Sequence, residues 1–407
     1  MMNNSFFLIL LSFCLTFAQT GFAEVPYVVP DNSFEERGEA VVVTPMSPIK
    51  SQDGIGLCYG FSATSLLENY RCRELNVDCS NPNEFLSSLD VTSYYGRERL
   101  IEGGNTMRIL MNLEKGKKIA REECIRFSSL VHQVAVTQNS FYRDEKQGWK
   151  FLTKKWNEFK GYAGEKRNDC ASCLADSIKS TLVNIQTPSD QLKNAFLEAH
   201  TLEEFLYKAL LPVQCMNEAK MAEVPPFVAK SFPAYNEKLT DESLKAKVET
   251  ILRNNIPLEM GICTSVERPC REDSGHSIAI MGIKEVCSQS TGECKKLVKV
   301  KNSYGNSWQA NNNDGWLELD SLVEASRAQG NYGNITWIQK PGFVLQEVKA
   351  KGTKTPPTSP RRPSPRSDNP AGPAVAPAEY KNYRGIWKCP NSTFMDHYEP
   401  GCVPMGR

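Results

Sequence analysis

The sequence predicts an α+β protein in which a helix-rich half precedes a strand-rich half. A strong helical pattern runs over about residues 58–71, and further helical segments fill 131–235. A capped helix follows at Thr240-Asp241, and beyond Pro257 the chain changes to short runs rich in Val, Ile and Trp between Gly, Asn and Cys turns. The compact part ends where prolines crowd the chain after residue 350.

Each element can be taken in order. Residues 1–23 carry a short apolar run, FFLILLSFCLTF, closed by small residues up to Ala23, which reads as a secretory signal peptide. The run is too short to span a bilayer, and no later stretch is long enough to do so. The expected location is therefore secreted or periplasmic. Residues 24–43 form a short lead-in before a domain over 44–350. In the helix near Cys58, residues Tyr59, Ala63, Leu66, Leu67 and Tyr70 fall on one apolar face. Within 131–235 three stripes recur: Trp149, Leu152, Trp156 and Phe159; Leu174, Ile178, Leu182 and Ile185; and Leu192 through Leu206. Such stripes are core and carry no chemistry. From Thr240 a helix turns Leu244, Val248, Ile251 and Leu252 inward. The expected strands are 258–262, 277–283, 297–302, 315–319, 335–339 and 343–348, forming a small antiparallel sheet or barrel. Eight prolines between Pro356 and Pro377 mark a polyproline-II-prone linker over 351–379. The tail, 380–407, is too small to fold unaided, and a Cys389–Cys402 disulfide is its natural staple.

Composition narrows the function. The chain has 407 residues, is 40% hydrophobic and 23% charged, and carries a net charge of +1. That balance fits a globular protein and gives no footing to a nucleic-acid partner or a polybasic membrane anchor. Of the 14 cysteines, Cys14 leaves with the signal peptide. The thirteen that remain are an odd number, as expected for an exported protein with disulfides and one free thiol. Cys72–Cys79, Cys263–Cys270 and Cys287–Cys294 are the short-range candidates, although spacing alone does not fix connectivity. Cys170-Ala-Ser-Cys173 has the spacing of half a metal or redox site, but no second half accompanies it. No metal and no organic cofactor are expected.

Three segments carry chemistry. In the first, Gln52-Asp-Gly-Ile-Gly-Leu-Cys58, a glycine-rich turn becomes a helix at Cys58. A thiol in the first turn of a helix gains from the positive end of the helix dipole, which favours the nucleophilic thiolate. Acyl transfer also needs donors for the developing oxyanion, which the Cys58 N–H and the Gln52 side chain can supply. The second segment, Ser274-Gly275-His276-Ser277, sets a histidine at the start of an apolar strand. The third, Lys301-Asn302-Ser303-Tyr304-Gly305-Asn306-Ser307-Trp308, sets an asparagine at a strand end before an aromatic-rich loop. A Cys–His pair needs a third group to hold the imidazole, and an Asn carbonyl oxygen accepts its ring N–H. Tyr304 and Trp308 are placed to shield that bond. His132, His200 and His397 have no such context.

In order and spacing, these segments resemble the papain-like (cathepsin-type) cysteine peptidases. The resemblance covers residues 42–125 and 236–345 in pieces. It implies a two-subdomain fold with a helical half and an antiparallel β-barrel-like half. In that fold Cys58 is the nucleophile, His276 the base and Asn302 its orienting group, and Gln52 and Cys58 form the oxyanion hole. Gly103 and Gly104 resemble the family's substrate-binding glycine pair, with Gly275 and Trp308 also bordering the substrate. The implied activity is hydrolysis of peptide bonds in a peptide or protein substrate. A non-catalytic binding relative, attached through the Pro-rich tail, and an amidase or transpeptidase acting on cell-wall peptides are the alternatives.

There are departures from the family. Ile55 and Ile101 stand where a disulfide pair is usual, and Leu57 is a large neighbour for the nucleophile. His276 follows Cys58 by 218 residues, which makes 131–235 a helical insertion. With only about twenty residues expected between the signal cleavage site and the core-like sequence, no long inhibitory propeptide of the family's kind is expected; either latency comes from another element, such as that insertion, or there is no zymogen stage.

Overall fold

The computed structural model describes residues 33–131, 144–234, 237–264, 270, 274–328 and 334–347, with the backbone of two short strands at 386–388 and 403–405. The signal segment, the linker, His132, His397, Cys389 and Cys402 lie outside the described residues.

The chain opens with β1 (Phe34–Val42), then enters the helical half through α1 (Cys58–Leu75), α2 (Ser88–Thr92), α3 (Thr106–Leu113) and β2 (Lys117–Ala120). Helix α1 is the central element. Every residue from Cys58 to Cys72 is buried, so the single apolar face expected from the sequence becomes burial all round. The cause is that α2 and α3 pack against it as well as strands of the sheet. Gly60 allows the α2 approach, because a Cβ there would lie 1.9 Å from Thr92 Oγ1. Asn76, at φ 51°, ends the helix in the left-handed conformation that asparagine tolerates.

Four helices follow: α4 (Glu145–Phe159), α5 (Lys166–Thr181), α6 (Ser189–Glu198) and α7 (Leu202–Leu210). The sequence stripes face inward. Trp156 stacks on Phe205 at 5.2 Å, and Phe196 meets Phe205 at 4.5 Å and Phe159 at 5.1 Å. The third stripe is split between two helices, because Thr201 caps α7 by accepting from the Glu204 N–H. These helices share one continuous core with α1. The Cys124–Cys215 disulfide staples the two ends of the segment across a separation of 91 residues.

The expected helical character of 131–235 fails at its end. β3 (Met221–Val224) pairs with β2, and β4 (Val228–Phe232) pairs with a strand of the main sheet. Pro225-Pro226 between them and Pro233 after them favour extended chain over helix.

Helix α8 (Asp241–Arg253) starts in a capping box between Thr240 and Ser243, and buries Leu244, Val248, Ile251 and Leu252 as expected. The sheet is completed by β5 (Leu258–Cys263), β6 (Gly275–Ser288), β7 (Cys294–Lys301), β8 (Trp316–Glu318) and β9 (Ile335–Gln339), with α9 (Gly305–Asn311) and α10 (Leu319–Ala328) between them. Its order is β4-β9-β5-β6-β7-β8, and all pairings are antiparallel. The long strand β6 pairs with β5 along its first half and with β1 along its second. The sheet is not closed into a barrel, which corrects the barrel-like expectation. One edge, β8, is three residues long before the chain turns into α10, and the other, β4, is flanked by prolines that cannot donate to a ladder.

Residues 343–347 also form no strand. The Asn254 side chain takes the place of a partner strand, accepting from the Gln346 N–H and donating to its carbonyl, both at 3.0 Å. A second apolar core lies between the sheet and α8 and α10. The three short-range disulfides expected from spacing are present, joining Cys72–Cys79, Cys263–Cys270 and Cys287–Cys294. In a separate unit, β10 (Ile386–Lys388) and β11 (Val403–Met405) pair antiparallel. Among the described residues, no helix is long and apolar enough to cross a membrane.

Candidate active site

Cys58 is the first residue of α1 and is 8% exposed. The first turn contains no acidic residue to offset the positive helix end. Leu57 turns its side chain into the helical core, so it does not crowd the thiol. Tyr59 is buried, and its hydroxyl donates to the Ile101 carbonyl at 2.9 Å. Burial pushes the Tyr59 phenol up, and the neighbouring Cys58 adds to the shift, so Tyr59 stays a donor. Ile55 is fully buried, and Ile101 is half-buried.

His276 is the second residue of β6, and Asn302 directly follows β7. Adjacent pairing of these strands brings Asn302 Oδ1 within 2.8 Å of His276 Nε2. Both side chains are buried, so water does not compete for the bond. The bond fixes Nε2 as the protonated nitrogen when the imidazole is neutral, and leaves Nδ1 for a second partner. Tyr304 stacks on the imidazole with centroids 4.5 Å apart, and its hydroxyl lies 3.3 Å from Nδ1. Trp308 is half-buried and packs against the sheet core.

The Gln52 loop is tied to the same segment. Its backbone N–H donates to the Ser303 carbonyl at 2.8 Å, and Ser303 Oγ donates to Gln52 Oε1 at 2.5 Å. Gln52 Nε2 in turn donates to the Ile55 carbonyl at 2.8 Å, so the amide is held at both ends. Asp53, at φ 51°, accepts the Lys146 N–H of α4 at 2.7 Å. It thereby fastens the Gln52 loop to the first helix after residue 144. Gly103 donates its N–H to the Gly56 carbonyl at 2.7 Å, which commits that donor internally. Gly104 lies so close to Tyr59 that a Cβ would sit 2.5 Å from the ring. Gly275 is exposed at the end of β6, opposite Cys263.

Several residues without a sequence assignment hold these parts in place. Thr106 Oγ1 donates to the Tyr59 carbonyl at 3.1 Å and lies 3.2 Å from Ser277 Oγ. The residues that follow Cys58 and His276 are thus joined through one hydroxyl. Ser277 Oγ is also 2.8 Å from Glu259 Oε1. Beneath Asn302, Lys301 donates to Ser47 Oγ at 2.7 Å, Ser47 donates to Glu68 of α1, and Lys50 pairs with Glu68 at 2.9 Å. Burial pulls the Lys301 ammonium down to about 8, with Glu68 acting against the shift. Burial also pushes the Glu68 carboxyl up, but Lys50 and Lys301 outweigh it and hold the group below its usual range. A sequence signal existed for Glu68 and Glu259, each a charge among apolar neighbours, in SLLENY and IPLEMGI. Cys170 and Cys173 are thiols on α5 outside any disulfide, half-buried and exposed, which corrects the expectation of one unbridged cysteine. His200 is exposed.

No protein-family model matches the chain, and a search of the curated proteins finds no match either.

Proposed function

We propose that the protein is a papain-like cysteine peptidase that uses Cys58, His276 and Asn302. The observation that carries this reading is the buried 2.8 Å bond from His276 Nε2 to Asn302, which leaves Nδ1 for a thiol at the head of α1. In the proposed reaction the Cys58 thiolate attacks a peptide carbonyl, and the oxyanion forms against the Cys58 N–H and the remaining N–H of Gln52 Nε2. His276 gives its proton to the leaving amine. It then takes one from water, which attacks the thioester and releases the acid with the thiol restored. The disulfides support folding in an oxidising compartment and hence export.

One observation favours a non-catalytic relative as the second reading: the Tyr304 hydroxyl stands against the nitrogen that the thiol needs. The test is mass mapping after treatment with an epoxysuccinyl thiol inhibitor, beside His276→Ala. Labelling of Cys58 that is lost in the variant supports the catalytic reading. A folded protein that does not label refutes it in favour of the second. With labelling in hand, product analysis separates peptide hydrolysis from amidase or transpeptidase action.

A further inference from the structure

Glu259 is a buried carboxyl that the proposed chemistry does not use, set in the otherwise apolar strand β5. Its surroundings are hydroxyls: Ser277 from β6, Thr336 from β9 and Thr106 from α3 all lie within hydrogen-bond reach. Among the described residues, Lys301 lies two strands away across Ala279, the Glu68–Lys50 pair belongs to the helical half, and Glu114 at the end of α3 is held by the Ala229 N–H of β4. His276, the residue before Ser277, is engaged with Asn302 and Tyr304.

The Tyr59 carbonyl only accepts, so the single hydrogen of Thr106 goes to it. Ser277 Oγ lies 3.2 Å from the same Thr106 oxygen. Ser277 Oγ in turn donates to Glu259 Oε1 at 2.8 Å, so the buried carboxyl is ringed by hydroxyls and linked through them to the Tyr59 carbonyl. We infer that protonated Glu259 is a positioning residue which, through Ser277 and Thr106, tethers the Cys58 helix to the His276 strand, and that its ionisation releases the tether. An ionised carboxylate is the stronger acceptor. It draws the Thr106 hydroxyl, which is within its reach, away from the Tyr59 carbonyl. Burial pushes this carboxyl up to about 7, with the three hydroxyls acting against the shift. The folded state therefore holds the proton longer than the unfolded chain does. The stability so gained is full below the ordinary carboxylate range and is lost as pH rises through about 7.

The inference rests on the proposed peptidase reading for its consequence at Cys58, but the stability readout is independent of that reading. The experiment compares the mature wild type with Glu259→Gln, which stays neutral and keeps a donor, and with Thr106→Val, which cuts the relay at its other end. Melting midpoints and iodoacetamide alkylation rates of Cys58 are measured from pH 5 to pH 8.5. Histidine titration is common to all three proteins and cancels in the comparison. The midpoint of Glu259→Gln minus that of wild type is expected to rise across pH 5 to 8. The wild-type alkylation rate relative to Glu259→Gln is expected to change by about two- to tenfold over the same range. In Thr106→Val the stability change with pH is expected to persist, while the relative change in rate disappears. Parallel curves for wild type and Glu259→Gln in both readouts would overturn the inference, as would a Thr106→Val rate profile that matches wild type. If Glu259→Gln does not fold, the Thr106→Val comparison decides alone. If Cys58 proves unreactive in every protein, the peptidase reading fails, while the midpoint difference still decides whether Glu259 folds protonated.

Discussion

Replacing Asn302 with alanine is the most direct probe of the site. The side chain supplies one acceptor, Oδ1, at 2.8 Å from His276 Nε2, and the two residues are 2% and 5% exposed. With so little water access, the ring N–H is left without a replacement partner. A hydrogen bond to a charged group contributes about 1.5–3 kcal/mol. Each 1.4 kcal/mol is a factor of ten, so the imidazolium of the proposed thiolate–imidazolium pair should become harder to form by about 10- to 150-fold. The assay is the second-order rate of Cys58 alkylation at pH 6.5, which needs no knowledge of the substrate. His276→Ala supplies the floor, and urea unfolding shows whether the variant is folded. The expected result is a rate well below wild type but above the floor, with a cooperative transition retained. A folded Asn302→Ala protein alkylated within twofold of wild type would refute the reasoning, because the buried bond would then do nothing for the pair.

Lys50→Met should cost about 1.5–3 kcal/mol in urea unfolding at pH 7, because it removes a charged donor from the buried Glu68 carboxylate and leaves it Ser47, the Leu86 N–H and the nearby Lys301. Since Glu68 is held below its usual range, the stability it contributes is present at neutral pH and lost as pH falls through its folded-state value; Glu68→Gln should therefore flatten the acid side of the stability curve. Asp53→Ala removes the capping acceptor at the start of α4 and should cost about 0.5–2 kcal/mol, with increased hydrogen exchange in the first turn of that helix. Paired replacement of Cys124 and Cys215 by alanine opens the longest disulfide-closed loop among the described residues and should cost roughly 2–5 kcal/mol by the same unfolding measurement.

The parts of the site that are local in sequence were legible there. The glycine turn followed by an apolar run placed Cys58 at a helix start, and the onset of SIAIMGI placed His276 at a strand start. The disulfides with a separation of 7 were legible for the same reason, since a short loop between two cysteines limits their choice. Cys124–Cys215 was not, because 91 residues of intervening chain leave no local trace of the pairing. Strand β1 was hidden by its exposed, charged residues, Glu35 through Glu39; its pairing with the far half of β6 is a tertiary choice. Alternation identified most strands of the sheet but carries no information on whether the edges meet, and the short β8 and proline-flanked β4 leave it open. The helical segment was legible as helices. Its fusion with the α1 core, through Trp156, Phe159, Phe196 and Phe205, was not. That fusion means excising 131–235 would expose core and is a poor test of latency; Asp53 is the cleaner lever on the same contact.

Ser303 allows the two halves of the proposed chemistry to be separated. Its hydroxyl donates to Gln52 Oε1, and its carbonyl takes the Gln52 N–H, so it orients the amide from one side while Ile55 holds it from the other. Alkylation of a thiolate develops no oxyanion, whereas attack on a peptide carbonyl does. Ser303→Ala keeps the backbone bond, and the stability cost should be about 1 kcal/mol. It frees the amide to rotate, so the donor aimed at the oxyanion is no longer preorganised. Loss of one such donor outright costs on the order of 100- to 1000-fold in turnover, and loosening it should cost less, about tenfold. The Cys58 alkylation rate should stay within about twofold of wild type, because His276 and Asn302 keep their bond. Turnover falling while alkylation holds would assign Ser303 to the oxyanion side. If both rates fall together, Ser303 acts through the Asn302 segment and the separation argued from these bonds is wrong.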